Sequence, residues 1–211
     1  SIMRKRTAVI AAAFTFIPLV QPLLVGFRML AATTILTLSS SEVKADDALD
    51  LVGLGLDKSD SGNCEGAIKD YTKAINLGVS PSTEPKVYFI RGLCNGELEN
   101  FIDAIDDFTK AIELYPENEL DYKAEAFSNR GLSKHLLNDY RGAINDYTQA
   151  IEIDPTNYFV YFRRGNSKGL LNDYQGAIED HTKAIELNPQ YSDAFIQRAL
   201  AKDIVGDLDG A

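Results

Sequence analysis

The chain has 211 residues, 45% of them hydrophobic and 25% charged, a composition of globular rather than disordered or collagen-like type. Its formal net charge of −10 repels phosphate backbones and speaks against nucleic-acid binding. Two His and two Cys are too few for a fold built on zinc clusters or a dense disulfide framework.

Residues 1–45 are a different kind of sequence from the rest. Arg4, Lys5 and Arg6 are followed by a largely apolar stretch from Thr7 to Leu38 and then by Ser39-Ser40-Ser41-Glu42-Val43-Lys44-Ala45. A basic head, an apolar middle and small residues at −3 and −1 (Val43 and Ala45) predict an export signal cleaved after Ala45. The arm from Thr7 to Phe27 has 21 residues, enough to span a bilayer, so an uncleaved membrane anchor is the alternative. The arm from Met29 to Leu38 has ten and suits a shorter signal, which leaves Met3 or Met29 as the start. Pro18, Pro22 and Arg28 fit poorly in a buried helix of a soluble domain. The expected location is the periplasm or a lumen-like compartment, with membrane contact only through this segment. Residues 46–211 hold 16 basic and 30 acidic residues, a net charge of −14.

The remainder repeats itself. Tyr71-Thr72-Lys73-Ala74-Ile75 returns as Phe108-Thr109-Lys110-Ala111-Ile112, Tyr147-Thr148-Gln149-Ala150-Ile151 and His181-Thr182-Lys183-Ala184-Ile185, at spacings of 37, 39 and 34. Before each stands Gly66-Ala67-Ile68, Asp103-Ala104-Ile105, Gly142-Ala143-Ile144 or Gly176-Ala177-Ile178. Within the third copy, Phe127, Gly131 and Lys134 lie at helical steps, and so do Tyr140, Ala143, Ile144, Tyr147, Ala150 and Ile151. Between them, Asn138 suits a left-handed turn and Asp139 a helix cap, while Pro155 ends the second helix. Each copy therefore reads as two antiparallel helices, with Gly131 set against Ala143 at a close approach.

This pattern resembles the tetratricopeptide repeat family. The family places a bulky residue at position 4, small residues at 8, 20 and 27, an aromatic at 24 and proline at 32. Residues 85–118 supply Tyr88, Gly92, Ala104, Phe108, Ala111 and Pro116, and 124–157 supply Phe127, Gly131, Ala143, Tyr147, Ala150 and Pro155. Residues 158–191 supply Tyr161, Gly165, Ala177, His181, Ala184 and Pro189. The copy at 48–81 is weaker, with Val79 where proline is expected, and a partial fifth copy covers 192–211. Inserts at 82–84 and 119–123 account for the longer spacings. The Asp-Tyr-x-Gly-Ala-Ile phrases and the Arg-Gly-x-x-Lys first helices are similar to repeats of cyanobacteria and other environmental bacteria. The array over 48–211 stops within a helical hairpin, which suggests a fragment or an end that meets a partner.

The resemblance implies an all-α, right-handed solenoid whose first helices line a concave groove for a peptide segment of a partner protein. It places Phe89, Leu93, Asn129, Leu132, Phe159, Phe162, Arg163, Asn166 and Ile196 in that groove. Some relatives clamp a C-terminal carboxylate with five polar residues at set positions; only Asn129 and Arg163 match, so chaperone-tail binding is not expected. Position 7 is Arg91, Arg130, Arg164 and Arg198, and position 23 is Asp70, Asp107, Asp146 and Asp180. On facing helices these suit structural ion pairs better than a row of ligand-reading arginines.

No nucleotide loop, metal-spaced cluster or nucleophile motif is present, so neither catalysis nor a cofactor is expected. His181 replaces the aromatic of position 24 and reads as a core residue. Cys64 and Cys94 suit either a disulfide in an oxidising compartment or two small buried side chains. The expected function is a non-catalytic interaction scaffold. The alternative is an architectural protein that self-associates through its open C-terminal end.

Overall fold

Short polar side chains set the helix boundaries. Asn63, Asp139 and Asp173 each accept a hydrogen bond at 3.0 Å from the backbone N–H three residues on, at Gly66, Gly142 and Gly176. Each satisfies a donor that the first turn of a helix leaves without an intrahelical acceptor. Asn138 and Asn172 precede the two aspartates at φ 64° and 65°, in the left-handed region that asparagine tolerates. Pro85 sits in the first turn of its helix, where its missing N–H costs nothing.

The computed structural model describes residues 43–206; among them all regular structure is α-helical and no strand occurs. The expected signal or anchor lies almost wholly outside the described residues. The helices are α1 (Val43–Asp60), α2 (Cys64–Leu77), α3 (Glu84–Glu97), α4 (Phe101–Leu114), α5 (Leu120–Leu136), α6 (Tyr140–Ile153), α7 (Tyr158–Leu170), α8 (Tyr174–Leu187) and α9 (Ser192–Val205). No described helix is long and apolar enough to cross a membrane. The chain divides between residues 117 and 118 into two compact units.

In the unit ending at 117, α1 packs on α2 and α3 on α4, and α2 touches α3 to join the two hairpins. In the unit from 118, α5–α6 and α7–α8 form hairpins, α6 packs on α7, and α8 on α9. The first helices of this unit also meet directly, α5 with α7 and α7 with α9, so they form one layer. The 119–123 insert is used mostly as an extra turn at the head of α5, which has 17 residues against 14 in α3 and 13 in α7.

Each hairpin closes over one ring. Tyr71, Phe108, Tyr147 and His181 project from the second helices and are at most 2% exposed. A Cβ added at Gly131 would lie 2.9 Å from Tyr147 Cε1 and 3.3 Å from the carbonyl oxygen of Ala143. The gap at Gly131 is thus filled mainly by the Tyr147 ring, with the Ala143 backbone beside it. Gly165 meets the imidazole of His181 in the same way, at 2.8 Å. Burying each of the Phe and Tyr rings contributes on the order of 2 kcal/mol.

Candidate functional site

Two sets of polar side chains occupy the helix faces, and they differ in how well they are satisfied. The first set is a row of forks between the helices of a hairpin. Arg91 reaches Asp107 at 2.6 and 3.0 Å, Arg130 reaches Asp146 at 2.7 and 2.9 Å, and Arg164 reaches Asp180 at 2.7 and 2.9 Å. Lys134 and Lys168 add second contacts to Asp146 and Asp180 at 2.8 Å, and Asn95 donates to Asp107 at 2.9 Å. Asp70 is held by Lys58, because its own copy has Leu54 at position 7. The remaining N–H groups reach back one copy: Arg91 to Thr72 at 2.9 Å, Arg164 to Thr148 at 3.1 Å and Arg198 to Thr182 at 3.5 Å. The aspartates are 3 to 5% exposed, and their lone pairs are spent within the protein. This row ties helices together and offers little to a ligand.

The second set lies on the first-helix layer of the unit from 118. Phe159, Phe162 and Arg163 follow the three- and four-residue steps of one face of α7, and Asn166 continues it. Phe159 is half-buried and carries the Arg163 guanidinium 4.3 Å from its ring centroid, a cation–π contact. Around it, Tyr158, Phe162 and Tyr191 form edge-on and stacked pairs with centroids 4.9 to 6.3 Å apart. From α5, Ser128 accepts a hydrogen bond from Arg163 at 3.2 Å, and His135 Nδ1 lies 2.8 Å from Ser167 Oγ. Burial, with Arg163's charge as a lesser cause, pulls the His135 pKa down to about 4, so its ring is neutral at pH 7. Burial likewise lowers the Arg163 pKa and raises that of Tyr147.

The expected groove residues divide by access. Phe162 at 1%, Asn166 at 1% and Leu132 at 9% exposure are buried. Phe159, Arg163 and Asn129 are half-buried, and the Asn129 amide donates to the Glu125 carbonyl on its own helix at 3.0 Å. Ile196 on α9 is 56% exposed. In the other unit, Phe89 is packed in the interior against Phe108, centroids 5.7 Å apart, whereas Leu93 is half-buried. Phe89 and Phe162 therefore serve as core rather than as lining. Sequence reasoning missed the polar contributions of Tyr147, Ser128 and Ser167 and the ring of Tyr191. Ser128 at position 5 was the available signal, a hydroxyl where the neighbouring copies carry phenylalanine.

Cys64 and Cys94 are free, buried thiols. Cys64 donates to a Glu97 carboxylate oxygen at 2.9 Å, and the two thiols interact with each other. No cluster able to hold a metal ion occurs among the described residues.

Stacked helical hairpins sealed by one ring and linked copy to copy define an α-helical repeat protein. The tetratricopeptide repeat matches at residues 85–118, 124–157 and 158–191, and the chain belongs to that family. No curated protein matches it. Among solved structures it is similar to MamA residues 41 to end from Desulfovibrio magneticus RS-1, with 16% identity, a TM-score of 0.70, and 78% of this chain and 88% of that one covered. It is also similar to YrrB, described as a repeat protein with an unusual peptide-binding site, at 20% identity and TM-score 0.66 over 81% of this chain and 88% of that one. A third is the first repeat domain of Spaghetti (RPAP3) bound to an HSP90 peptide, at 22% identity and TM-score 0.55 over 59% of this chain and 95% of that one. At these identities the likeness is one of fold.

Proposed function

We propose that the chain is a non-catalytic scaffold that binds a peptide segment of a partner protein along its first-helix layer. The observation that carries this reading is the half-exposed Phe159–Arg163 pair, set among Tyr158, Phe162 and Tyr191 on α7. Aromatic and arginine side chains in a partly desolvated patch are the groups that anchor protein partners. The peptide-binding descriptions of YrrB and of the Spaghetti domain give the same reading support by analogy. No nucleic acid or cofactor enters this account. Export, with a signal ending at Ala45 or an anchor in its place, is part of the proposal and rests on the sequence of residues 1–45.

Site-specific photo-cross-linking tests it. A benzophenone amino acid at Phe159 should give discrete adducts with a partner polypeptide, while one at Gln149, exposed on the second helix α6, should give none. Equal labelling from both positions would contradict a binding face on the first helices. The architectural alternative draws on Phe195, Ile196 and Val205 of α9, which are 41 to 56% exposed. Self-association through that helix predicts a mass that rises with protein concentration and returns to the monomer in Ile196→Asp.

A further inference from the structure

Cys64 and Cys94 depart from the repeat pattern at one and the same junction. Cys64 is the first residue of α2, at position 17 of its copy, where the later copies carry Phe101, Tyr140 and Tyr174. Cys94 stands on α3 at position 10, where the next two copies carry Ser133 and Ser167. The junction is the one between the hairpin α1–α2 and the hairpin α3–α4, inside the unit ending at 117.

The fold brings the two sulfurs together. Both cysteines are 3% exposed and carry free thiols. Cys64 Sγ donates to Glu97 Oε2 at 2.9 Å, and Glu97 lies one turn along α3 from Cys94. The two thiols are also hydrogen-bonded to each other. Thiols in such contact need little backbone movement to be bridged. Burial is the chief cause of a rise in both thiol pKa values, and Glu97 adds to it. A pair that favours the reduced state does so by stabilising a thiolate, and this site opposes one. The first hairpin also differs in what holds it: Asp70 is bound by Lys58, a point charge, where Asp107, Asp146 and Asp180 are each gripped by an arginine fork.

We propose that Cys64 and Cys94 are a modification site: they close to a disulfide when the chain folds in contact with a disulfide oxidant, and the bond clamps α1–α2 onto α3–α4. The oxidant is a small-molecule or protein disulfide, R–S–S–R. In the unfolded chain both sulfurs are accessible, and one cysteine, as its thiolate, attacks the oxidant. A mixed disulfide forms, and the first R–S⁻ leaves and takes up the proton that the cysteine gave. Folding brings the second cysteine sulfur against the first; it attacks, the bond to R breaks, and the second R–S⁻ leaves with that cysteine's proton. Two thiols and R–S–S–R thus give one protein disulfide and two R–SH, with two electrons passed to the oxidant. The bond closes the loop from Cys64 to Cys94 and acts by restricting the unfolded chain. The clamp does not depend on what the first-helix layer binds.

Refolding the reduced, urea-unfolded full chain in a buffer of reduced and oxidised glutathione tests the site. After a maleimide is added to trap free thiols, mass spectrometry should show a monomer lighter by two hydrogens than the reduced chain, with no maleimide attached. Digestion should yield a peptide pair joined through Cys64 and Cys94. At one glutathione ratio, the proportion of oxidised to reduced chain should be about tenfold or more higher in buffer than in urea, because a bond that favours the folded state is favoured by it in turn. The oxidised chain should melt about 5 °C or more above the reduced one. Maleimide on both cysteines of a chain that circular dichroism shows to have folded, or a disulfide between two chains, would overturn the proposal. So would equal proportions in buffer and urea, or a melting temperature that oxidation does not raise.

Discussion

His181 stands where the other copies have Tyr71, Phe108 and Tyr147, and the substitution leaves a titratable ring in the core. Burial pulls its pKa from 6.5 to about 4, against a smaller opposing pull from Asp180, with Arg198 and Lys168 adding to the depression. Because the folded value lies below the unfolded one, the unfolded chain binds the proton more readily between them. The stability tied to this group is complete above about pH 6.5 and is lost as the pH falls toward 4, a swing of roughly 3 kcal/mol. His181→Phe should therefore flatten part of the fall in melting temperature between pH 6.5 and pH 4.5; an unchanged slope would mean that the ring is not held neutral. Arg164→Ala leaves Asp180 with Lys168 alone and should cost about 2 to 4 kcal/mol in urea unfolding. Partner cross-linking from Phe159 should survive that loss, because the Arg164–Asp180 fork holds the hairpin rather than a ligand. Burial also pushes the Cys94 thiol up to about 11 and Cys64 higher still, so iodoacetamide at pH 8 should label neither in the reduced native chain and both after denaturation. At this scale the sequence revealed residue types but not their partners. The recurrence of Arg and Asp sixteen residues apart pointed to forks, and three form; Arg198 reaches only Thr182, and nothing in the string shows that Arg163 has no acid among the described residues.

Helices and turns were the most legible layer, because their determinants are local. Asn138 and Asp139 mark a turn and a cap through their own short side chains, and both act as that chemistry requires. Asp139→Ala should lower stability by about 1 kcal/mol, measured by thermal unfolding, with no effect on cross-linking from Phe159. Gly131 was read as facing Ala143, yet the Tyr147 ring fills most of the space, a tertiary detail that no local pattern encodes. Gly131→Ala should cost about 1 to 3 kcal/mol through overpacking of that ring. The insert at 119–123 was legible as extra length, while its use as an added turn of α5 became visible only in the folded chain. Access was the least legible property. Positions on one helical face share a direction, but whether Phe162 lines a surface or fills a core depends on Tyr191, contributed from beyond the following helix.

At the level of the molecule, the account joins a strongly acidic chain to an aromatic face on α7 that carries Arg163, which has no carboxylate partner among the described residues. Residues 46–211 carry net charge −14, so non-specific retention on DNA should be absent at low salt, where the backbone term is strongest. In the proposed reading binding and stability are separable: forks between the helices of a hairpin hold the fold, and first-helix side chains meet the partner. Hydrogen–deuterium exchange, with and without the partner polypeptide captured by cross-linking at Phe159, tests this division most directly. The account predicts slowed exchange on α5 and α7, centred on residues 128–135 and 159–167, with α6 and α8 unchanged. Slowing confined to α6 and α8 would contradict it.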